Sequence, residues 1–360
     1  MGKCGIVSYG IAVPYRRLAV DEIVDCWMNT SIELIKQKQG MLERGVLGFD
    51  EDGNTFSIEA AKKAIRLAGE PQIDALVYGT CTNPYDSRPS STILLEALNL
   101  DYAAKAWDVQ FSTKSGTAAM MSGYAMVCSG LARNAVAIGA DTINRHTAPG
   151  DLLEPYASSG AGALVIGTEH VAATLDGFAS YSTDLSDGFR VEGERYIRSG
   201  MLLGSAKNEV GVNDHTTHAV EKLMQDMGAS VGDFNYVVVQ QSTPGAARSC
   251  GRVLGCRAEQ IEPAIFSETL GDTGSASTLI GLAAVLDIAQ PGEKILVVSY
   301  GFGSGADAIA LTVTDEIKSL QERAVPVKKS IAHKVIVDYK TAMKMEYKYI
   351  RPSHMLNAYL

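Results

Sequence analysis

Several features that define other classes of protein are missing from this chain. Its 360 residues contain no uninterrupted apolar run long enough to cross a bilayer. Aspartate and glutamate (41) outnumber lysine and arginine (32), and the net charge of −9 disfavours nucleic acid or an anionic membrane as the main partner. The first residues lead directly into a strand pattern, Ile6–Tyr9, and not into a signal peptide.

Cysteine is scarce and irregularly spaced. None of the six cysteines forms a C-x-x-C pair, so neither a disulfide framework nor a structural zinc site is expected. The expected location is a reducing cytoplasm, and no metal or cofactor is predicted. The six are Cys4, Cys26, Cys81, Cys128, Cys250 and Cys256.

Two stretches of the sequence are echoed later in the chain. Leu76–Thr82 parallels Val237–Thr243, and Ser159–Leu164 parallels Ser304–Ile309. Strand and helix patterns alternate in the same order around both copies. The repeat indicates an internal duplication in preference to two unrelated domains.

The duplication divides the chain into two halves and a tail. The first half is expected over residues 1–168, the second over 169–316, and an extension over 317–360. Hydrophobic residues make up 46% and charged residues 20%, which is typical of a soluble globular protein. Within the second half, the apolar run Pro263–Phe266 is predicted to be a strand.

Each half contains one helix pattern without a polar face. Residues 115–132 carry no charge, and residues 274–289 are small and apolar as far as Asp287. Such helices are buried on every side. The sequence therefore predicts a central helix layer between two sheets, with amphipathic helices outside. This is an α/β arrangement of five layers, αβαβα.

Three loops stand out in the sequence, and two of them follow strand patterns. Asp108–Phe111 leads into Ser112–Thr117, Tyr236–Val239 opens into Gln240–Thr243, and a third loop covers 270–277. Laid out in this way, they resemble the cysteine, histidine and asparagine loops of thiolase-fold condensing enzymes. The resemblance covers essentially the whole chain and includes the hydroxymethylglutaryl-CoA synthase and β-ketoacyl-carrier-protein synthase III branch. The matching positions in this chain are Thr113, Gln240 and Asp272, and Cys81 stands where that branch has a glutamate.

Longer matches resemble one group within that branch. Gly79–Arg88, Gly139–Arg145, Arg195–Met201 and a tyrosine-rich tail are similar to the synthase-like subunit of bacterial multicomponent acyltransferases that make 2,4-diacetylphloroglucinol. The resemblance implies CoA-independent acetyl transfer onto an aromatic carbon. It also implies two partners, a thiolase-like catalytic chain and a small OB-fold bridging chain, with pairing through the thiolase-type dimer face.

The residues at these four positions predict a site without catalytic activity. Acyl transfer of this kind needs a thiolate at a helix N-terminus, and the Thr113 hydroxyl is not ionised near neutral pH. The amide of Gln240 has no pKa suited to accepting and returning a proton. Asp272 as an anion would repel a developing oxyanion. A non-catalytic structural subunit is therefore the leading hypothesis.

Two other functions remain open at this point. A rewired condensing enzyme could use Cys81 as its nucleophile, although an isolated buried cysteine is usually inert. Alternatively, the chain could bind an acyl or aromatic ligand in the remaining pocket without transferring anything. Simple structural roles, a helix N-terminal residue for Thr113 and loop hydrogen bonds for Gln240 and Asp272, are compatible with the leading hypothesis.

A segment rich in glycine and charge lies between the repeats. It contains Arg190, Arg195 and Arg198, which could cover the pocket or contact a substrate or partner. A solvated loop with local salt bridges is an equal alternative.

The tail has a different pattern. Apolar residues alternate with charges from Met343 to Tyr349 and follow the apolar run Val335–Val337, which predicts a two-stranded ribbon. A ribbon is marginal alone and should pack against something. We expect Tyr347 and Tyr349 to contact a partner subunit, with decoration of the same chain as the alternative.

Overall fold

The computed structural model describes residues 4–185, 187–199, 211–303 and 305–349 of this chain. The strands in these ranges are β1 (Gly5–Ala12), β2 (Arg16–Ala19), β3 (Glu43–Val46), β4 (Ala75–Gly79), β5 (Lys105–Val109), β6 (Ala135–Thr142), β7 (Ser159–Gly167), β8 (Ala173–Ser182), β9 (Gly188–Phe189), β10 (Arg198–Ser199), β11 (Tyr236–Val239), β12 (Lys294–Gly301), β13 (Gly305–Val313) and β14 (Val335–Val337).

The helices alternate with these strands along the chain. They are α1 (Val20–Trp27), α2 (Gly53–Leu67), α3 (Ser90–Ala97), α4 (Ser115–Cys128), α5 (Val212–Met227), α6 (Pro244–Val253), α7 (Ala258–Ile261), α8 (Ser277–Leu286), α9 (Ile317–Arg323), α10 (Val327–Ala332) and α11 (Tyr339–Met345). Within the described ranges, none of them is both long and apolar enough to cross a membrane.

The main sheet repeats one topology twice. Its order is β11-β12-β13-β8-β1-β7-β6-β4-β5, and the two halves meet where β1 pairs with β8 over only two residue pairs. If the strands of the first half are numbered along the chain and those of the second half take the numbers of their counterparts, the first half has the order 3-2-4-5-1 and the second has 2-4-5-1. The predicted duplication is therefore visible in the topology, with one strand fewer in the second half.

The missing strand is the one predicted at Pro263–Phe266, and that prediction is wrong. The chain forms a 3₁₀ turn at Glu262–Ala264 instead. Proline has no N–H for a ladder. The buried Gln241 side chain also binds the backbone that a strand would use, because its Nε2 donates to the Ala264 carbonyl (2.7 Å) and its Oε1 accepts from the Phe266 N–H (3.1 Å).

The layers are those that the sequence predicted. Helices α4 and α8 lie between the two halves of the sheet within one central core, and all ten residues of α8 are buried. A second core joins α2 and α3 to the outer face of the first half. A third joins α5 and α6 to the outer face of the second half. Two helix layers outside, two sheets and a central helix layer give the αβαβα arrangement.

The tail differs from the predicted ribbon. Val335–Val337 is a strand, β14, which pairs with β2, but the residues that follow it form helix α11. Asp338 begins this helix by accepting a hydrogen bond from the Thr341 N–H (2.7 Å). Ala342, Met343 and Glu346 are buried, at a helical and not an alternating spacing.

The described part of the tail packs on its own chain. The Arg44 guanidinium, which is buried, donates to Glu346 at 2.6 Å and 3.3 Å. Asn144 donates to the same carboxylate at 2.9 Å. A buried, bidentate ion pair of this kind fixes the end of α11 against the first half. Residues 350–360, the last of the predicted tail, lie outside the described ranges.

Candidate functional site

The four predicted site positions meet around one loop, residues 272–275. The Gln240 Nε2 donates to the Gly274 carbonyl (2.9 Å), and the Gly274 N–H donates to the Asp272 carboxylate (2.8 Å). The Ser275 hydroxyl donates to the Ser112 carbonyl, beside Thr113 (3.3 Å). Residues from both halves therefore converge at the start of the central helices.

Close backbone packing makes this convergence possible. A Cβ atom on Gly116 would lie 2.0 Å from the Ser275 carbonyl oxygen, and one on Gly139 would lie 2.3 Å from the same oxygen. Any side chain there would separate α4 and β6 from the loop. The glycines of the two halves thus allow the 272–275 loop to enter the site.

Thr113 lies at the N-terminus of α4, as expected for the nucleophile position. It follows Ser112, which has a left-handed backbone (φ 50°). The Thr113 hydroxyl donates to the Tyr300 carbonyl (2.9 Å), and only 2% of the residue is exposed. The hydroxyl proton points to a backbone oxygen and not to a base. The hydroxyl is therefore not activated as a nucleophile.

Gln240 follows the end of β11. Its backbone N–H donates to the Val298 carbonyl (2.9 Å), which places the side chain at the carboxyl end of the sheet. The amide Oε1 is buried and has no hydrogen-bond partner among the described residues. The side chain therefore acts as a spacer beside the 272–275 loop and offers no proton transfer.

Asp272 is less anionic than the sequence suggested. Burial raises the pKa of this carboxyl to about 7, and the nearby Asp141 adds to the rise, while the Gly274 N–H opposes it. The Asp272 carboxyl is therefore partly protonated near neutral pH. The expected full negative charge at this position is corrected to a partial one.

Cys81 is held as a thiol. Burial raises its pKa well above the usual range, and the Asp141 carboxylate, 3.3 Å from the sulfur, raises it further. A thiolate would be repelled by this carboxylate. The geometry is the reverse of an activated cysteine, which sits among positive charges.

Asp141 was missed as a site residue by the sequence analysis, although it organises the Cys81 loop. One oxygen accepts from the Thr80 hydroxyl (2.8 Å), from the Cys81 N–H (2.8 Å) and from both the N–H and the hydroxyl of Thr82. The other accepts from the Ser275 N–H (2.7 Å). A carboxylate inside the otherwise apolar strand β6 was the available signal.

A second buried charge lies beneath Thr113. Lys114 Nζ is 2.8 Å from Asp307 Oδ1, and both residues are buried. The Thr117 hydroxyl donates to the other oxygen of Asp307 (2.7 Å). This ion pair ties the start of α4 to β13 and was also missed by the sequence analysis, although Asp307 stands alone in an apolar strand.

A cavity of about 470 Å³ opens beside these residues. Of the predicted site residues, Cys81, Thr113 and Arg190 line it, whereas Gln240 and Asp272 do not. Its wall is rich in phenylalanine, which the sequence analysis did not foresee. The remaining lining residues are Gln110, Phe111, Ser112, Gly188, Phe189, Ile197 and Phe302.

The other residues that were predicted to contact a substrate or partner lie apart from the cavity. Arg195 donates to the carbonyls of Glu346 (2.7 Å) and Tyr347 (2.6 Å), so it ties the segment around it to the tail. Arg198 Nε donates to Glu194 (2.7 Å). Tyr347 and Tyr349 are 52% and 60% exposed. Part of the predicted cover, which was expected over residues 184–208, lies outside the described ranges, namely residues 186 and 200–208.

Solved structures of other proteins share this fold. A 3-oxoacyl-(acyl carrier protein) synthase III from Pseudomonas aeruginosa has a TM-score of 0.78 at 21% identity, covering 87% of this chain and 99% of the synthase. A hydroxymethylglutaryl-CoA synthase complexed with CoA has a TM-score of 0.84 at 14% identity, covering 97% and 92%. The chain therefore has the thiolase-type fold of the condensing enzymes.

Sequence relatives define the family. The hydroxymethylglutaryl-CoA synthase of Methanopyrus kandleri is 37% identical over 348 residues, covering 96% of this chain and 98% of the relative. That of Pyrococcus horikoshii is 37% identical over 352 residues, covering 96% and 97%. No protein-family model matches the chain. On the strength of these relatives, the chain belongs to the hydroxymethylglutaryl-CoA synthase family.

Proposed function

We propose that this family member is a non-catalytic structural subunit of a multicomponent C-acyltransferase, in which another chain carries the nucleophile. The complex would transfer acetyl groups onto a phloroglucinol-type aromatic carbon without CoA as donor. The chain's own role would be to support the catalytic chain and to form part of the walls around its site.

The observation that carries this proposal is the state of the nucleophile position. Thr113 directs its hydroxyl proton to the Tyr300 carbonyl, and Gln240 stands where a base would be needed. Cys81, which lines the cavity, is kept protonated by burial and by Asp141. Among the described residues of this site, the arrangement therefore provides neither an activated nucleophile nor a base to activate one.

The proposed partners are a thiolase-like catalytic chain and a small OB-fold chain. For pairing with a thiolase-type chain we propose the β5 edge of the sheet. This strand ends the sheet of the first half, and Trp107 in β5 and Tyr102 just before it are 41% and 78% exposed. An edge strand with exposed aromatic side chains is suited to pairing with another chain.

The two alternatives differ in how the structure supports them. Condensation by Cys81 is disfavoured, because its raised pKa leaves little thiolate at neutral pH. Ligand binding without transfer is favoured by the phenylalanine-rich cavity, whose volume of about 470 Å³ is in the range for a small molecule.

The direct test is covalent labelling of the purified chain with a radiolabelled acetyl donor. We expect no stable label on the wild-type protein. The variant Thr113→Cys/Gln240→His should acquire label, because a thiol at the N-terminus of α4 then has a neighbouring base. Cys81→Ser is the matched control and should behave like the wild type.

Label on the wild-type chain that disappears in Cys81→Ser would contradict the structural-subunit proposal and favour the rewired enzyme. A ligand-induced rise in melting temperature without label would favour the binding alternative. Failure of the double variant to label, with the wild type also silent, would show that the site has lost more than these two groups.

A further inference from the structure

Four apolar side chains form a small exposed patch away from the candidate site. They belong to the end of α1 and to the loop that precedes β7. Trp27 and Met28 are 43% and 83% exposed, and Leu152 and Leu153 are 50% and 38% exposed. These four residues are called the Trp27 patch below.

Contacts between the two segments hold the loop of Leu152 and Leu153 at the end of α1. The backbone of Gly150 packs against the Trp27 indole, since a Cβ atom there would lie 2.9 Å from the ring. The Asn29 side chain donates to the Gly150 carbonyl (2.7 Å). The indole N–H of Trp27 donates to the Tyr339 hydroxyl (2.6 Å). The patch is therefore preformed, which lowers the entropic cost of binding.

Met28 has an unfavourable backbone conformation. It ends α1 in the left-handed conformation (φ 51°), where glycine or asparagine is preferred. Its side chain nevertheless remains largely in solvent beside an exposed tryptophan. Tryptophan and methionine are enriched in the cores of protein interfaces, and clustered exposed apolar side chains mark interaction sites.

The charges around the patch are mainly negative. Glu22 and Asp25 lie on α1, and Asp151 adjoins Leu152. Neither Asp25 nor Asp151 forms an ion pair with any described residue. On α1, Asp21 is paired with Lys36 (2.5 Å), so this lysine does not balance Asp25 or Asp151. A second copy of this chain would place like charges against each other, which disfavours self-association here.

We propose that the Trp27 patch is the docking surface for a different protein chain, one whose contact face is apolar and edged with lysine or arginine. This inference rests on the proposed function, because the partner is taken to be a subunit of the same complex. The patch is formed by loops and a helix end, whereas the pairing face proposed above is the β5 edge. The two surfaces can therefore be tested independently.

The experiment uses the full chain and each of the two proposed partner subunits, purified separately, with affinities from titration calorimetry. We expect one subunit to bind the wild-type chain. Met28→Asp/Leu152→Asp should weaken that binding by at least about tenfold, because both side chains are solvent-exposed and would bring charge into an apolar contact. Val325→Asp is the matched control, since Val325 is a 64% exposed apolar residue in another part of the chain, and it should bind as the wild type does.

A second variant tests the charge of the partner. Asp25→Lys/Asp151→Lys should weaken binding at low salt, and the difference from the wild type should shrink at high salt. Tighter binding by this variant would overturn the basic partner. Unchanged binding by Met28→Asp/Leu152→Asp would overturn the docking surface and leave the proposed function standing. If neither subunit binds the wild-type chain, the docking surface and the proposed complex both fail.

Discussion

Asp141, at the end of β6, and Asp307, in β13, perform similar tasks in opposite halves of the molecule. Asp141 belongs to the first half and accepts a hydrogen bond from Ser275, just before α8 of the second half. Asp307 belongs to the second half and binds Lys114, just before α4 of the first half. Each half thus fixes the start of the other half's central helix.

The difference between them is the cation. Asp307 is paired with a buried lysine, whereas no lysine or arginine among the described residues forms an ion pair with Asp141. The charge of Asp141 therefore acts on its neighbours and raises the pKa of both Cys81 and Asp272. A buried carboxylate can serve the fold equally well in both settings, but only the one without a cation suppresses ionisation around it.

The largest expected effect comes from removing the cation. Lys114→Met leaves Asp307 buried without its partner, and the free energy of unfolding should fall by about 3–5 kcal/mol. Urea denaturation measures this change. Lys222→Met removes an exposed ion pair with Asp226 and should change stability by less than about 1 kcal/mol. Equal losses in the two variants would contradict the importance of the buried pair.

A smaller and pH-dependent effect is expected from Asp272→Asn. The folded pKa of about 7 lies above the ordinary value of 3.8. Between these values the folded state keeps a proton that the unfolded state loses, so this group destabilises the protein as pH rises. Relative to the wild type, the variant should gain up to about 4 kcal/mol between pH 4 and pH 8.

Thermal or urea unfolding at several pH values measures the gain. Asp315→Asn, at an exposed carboxyl, is the control and should follow the wild-type pH profile. A constant difference between Asp272→Asn and the wild type at all pH values would mean that the Asp272 proton is not retained in the folded state.

The smallest expected effect concerns the reactivity of Cys81. Asp141→Asn removes the adjacent negative charge, so the pKa of the thiol should fall towards the value set by burial alone. Its alkylation rate at pH 8, followed by peptide mass spectrometry, should rise, because a larger fraction of the thiol is then ionised. Cys250, a buried thiol in the third core, is the internal control. A parallel rise at Cys250 would indicate general loosening in place of an electrostatic effect.

The sequence predicted the layers because they depend on local patterns. Residues 115–132 and 274–289 lack a polar face, and α4 and α8 are buried centrally as a result. The positions of Thr113, Gln240 and Asp272 came from the resemblance to the loops of the condensing enzymes and not from a local pattern. By contrast, the Asp141–Ser275 contact joins residues 134 positions apart, and the Lys114–Asp307 pair spans 193. No local sequence pattern predicts such contacts between distant residues.

Two local predictions failed for identifiable reasons. Pro263–Phe266 has a strand-like composition, but Gln241 occupies its backbone groups from another part of the chain. The tail alternates in sequence between apolar and charged residues, but Glu346 is buried because Arg44 provides its partner. The alternation of apolar and charged residues was interpreted as one buried and one solvent-exposed face. A buried ion pair contradicts that interpretation.

The absence of a fifth strand in the second half has a consequence for assembly. The segment around 261–267 lies along β11, at the end of the sheet opposite β5. If β5 pairs with another chain as proposed above and this segment covers the β11 edge, the sheet is continued at one end only, which gives a closed pair and not an open filament. Gln241, whose side chain takes the hydrogen bonds that the missing strand would have formed, would then also determine where the sheet ends.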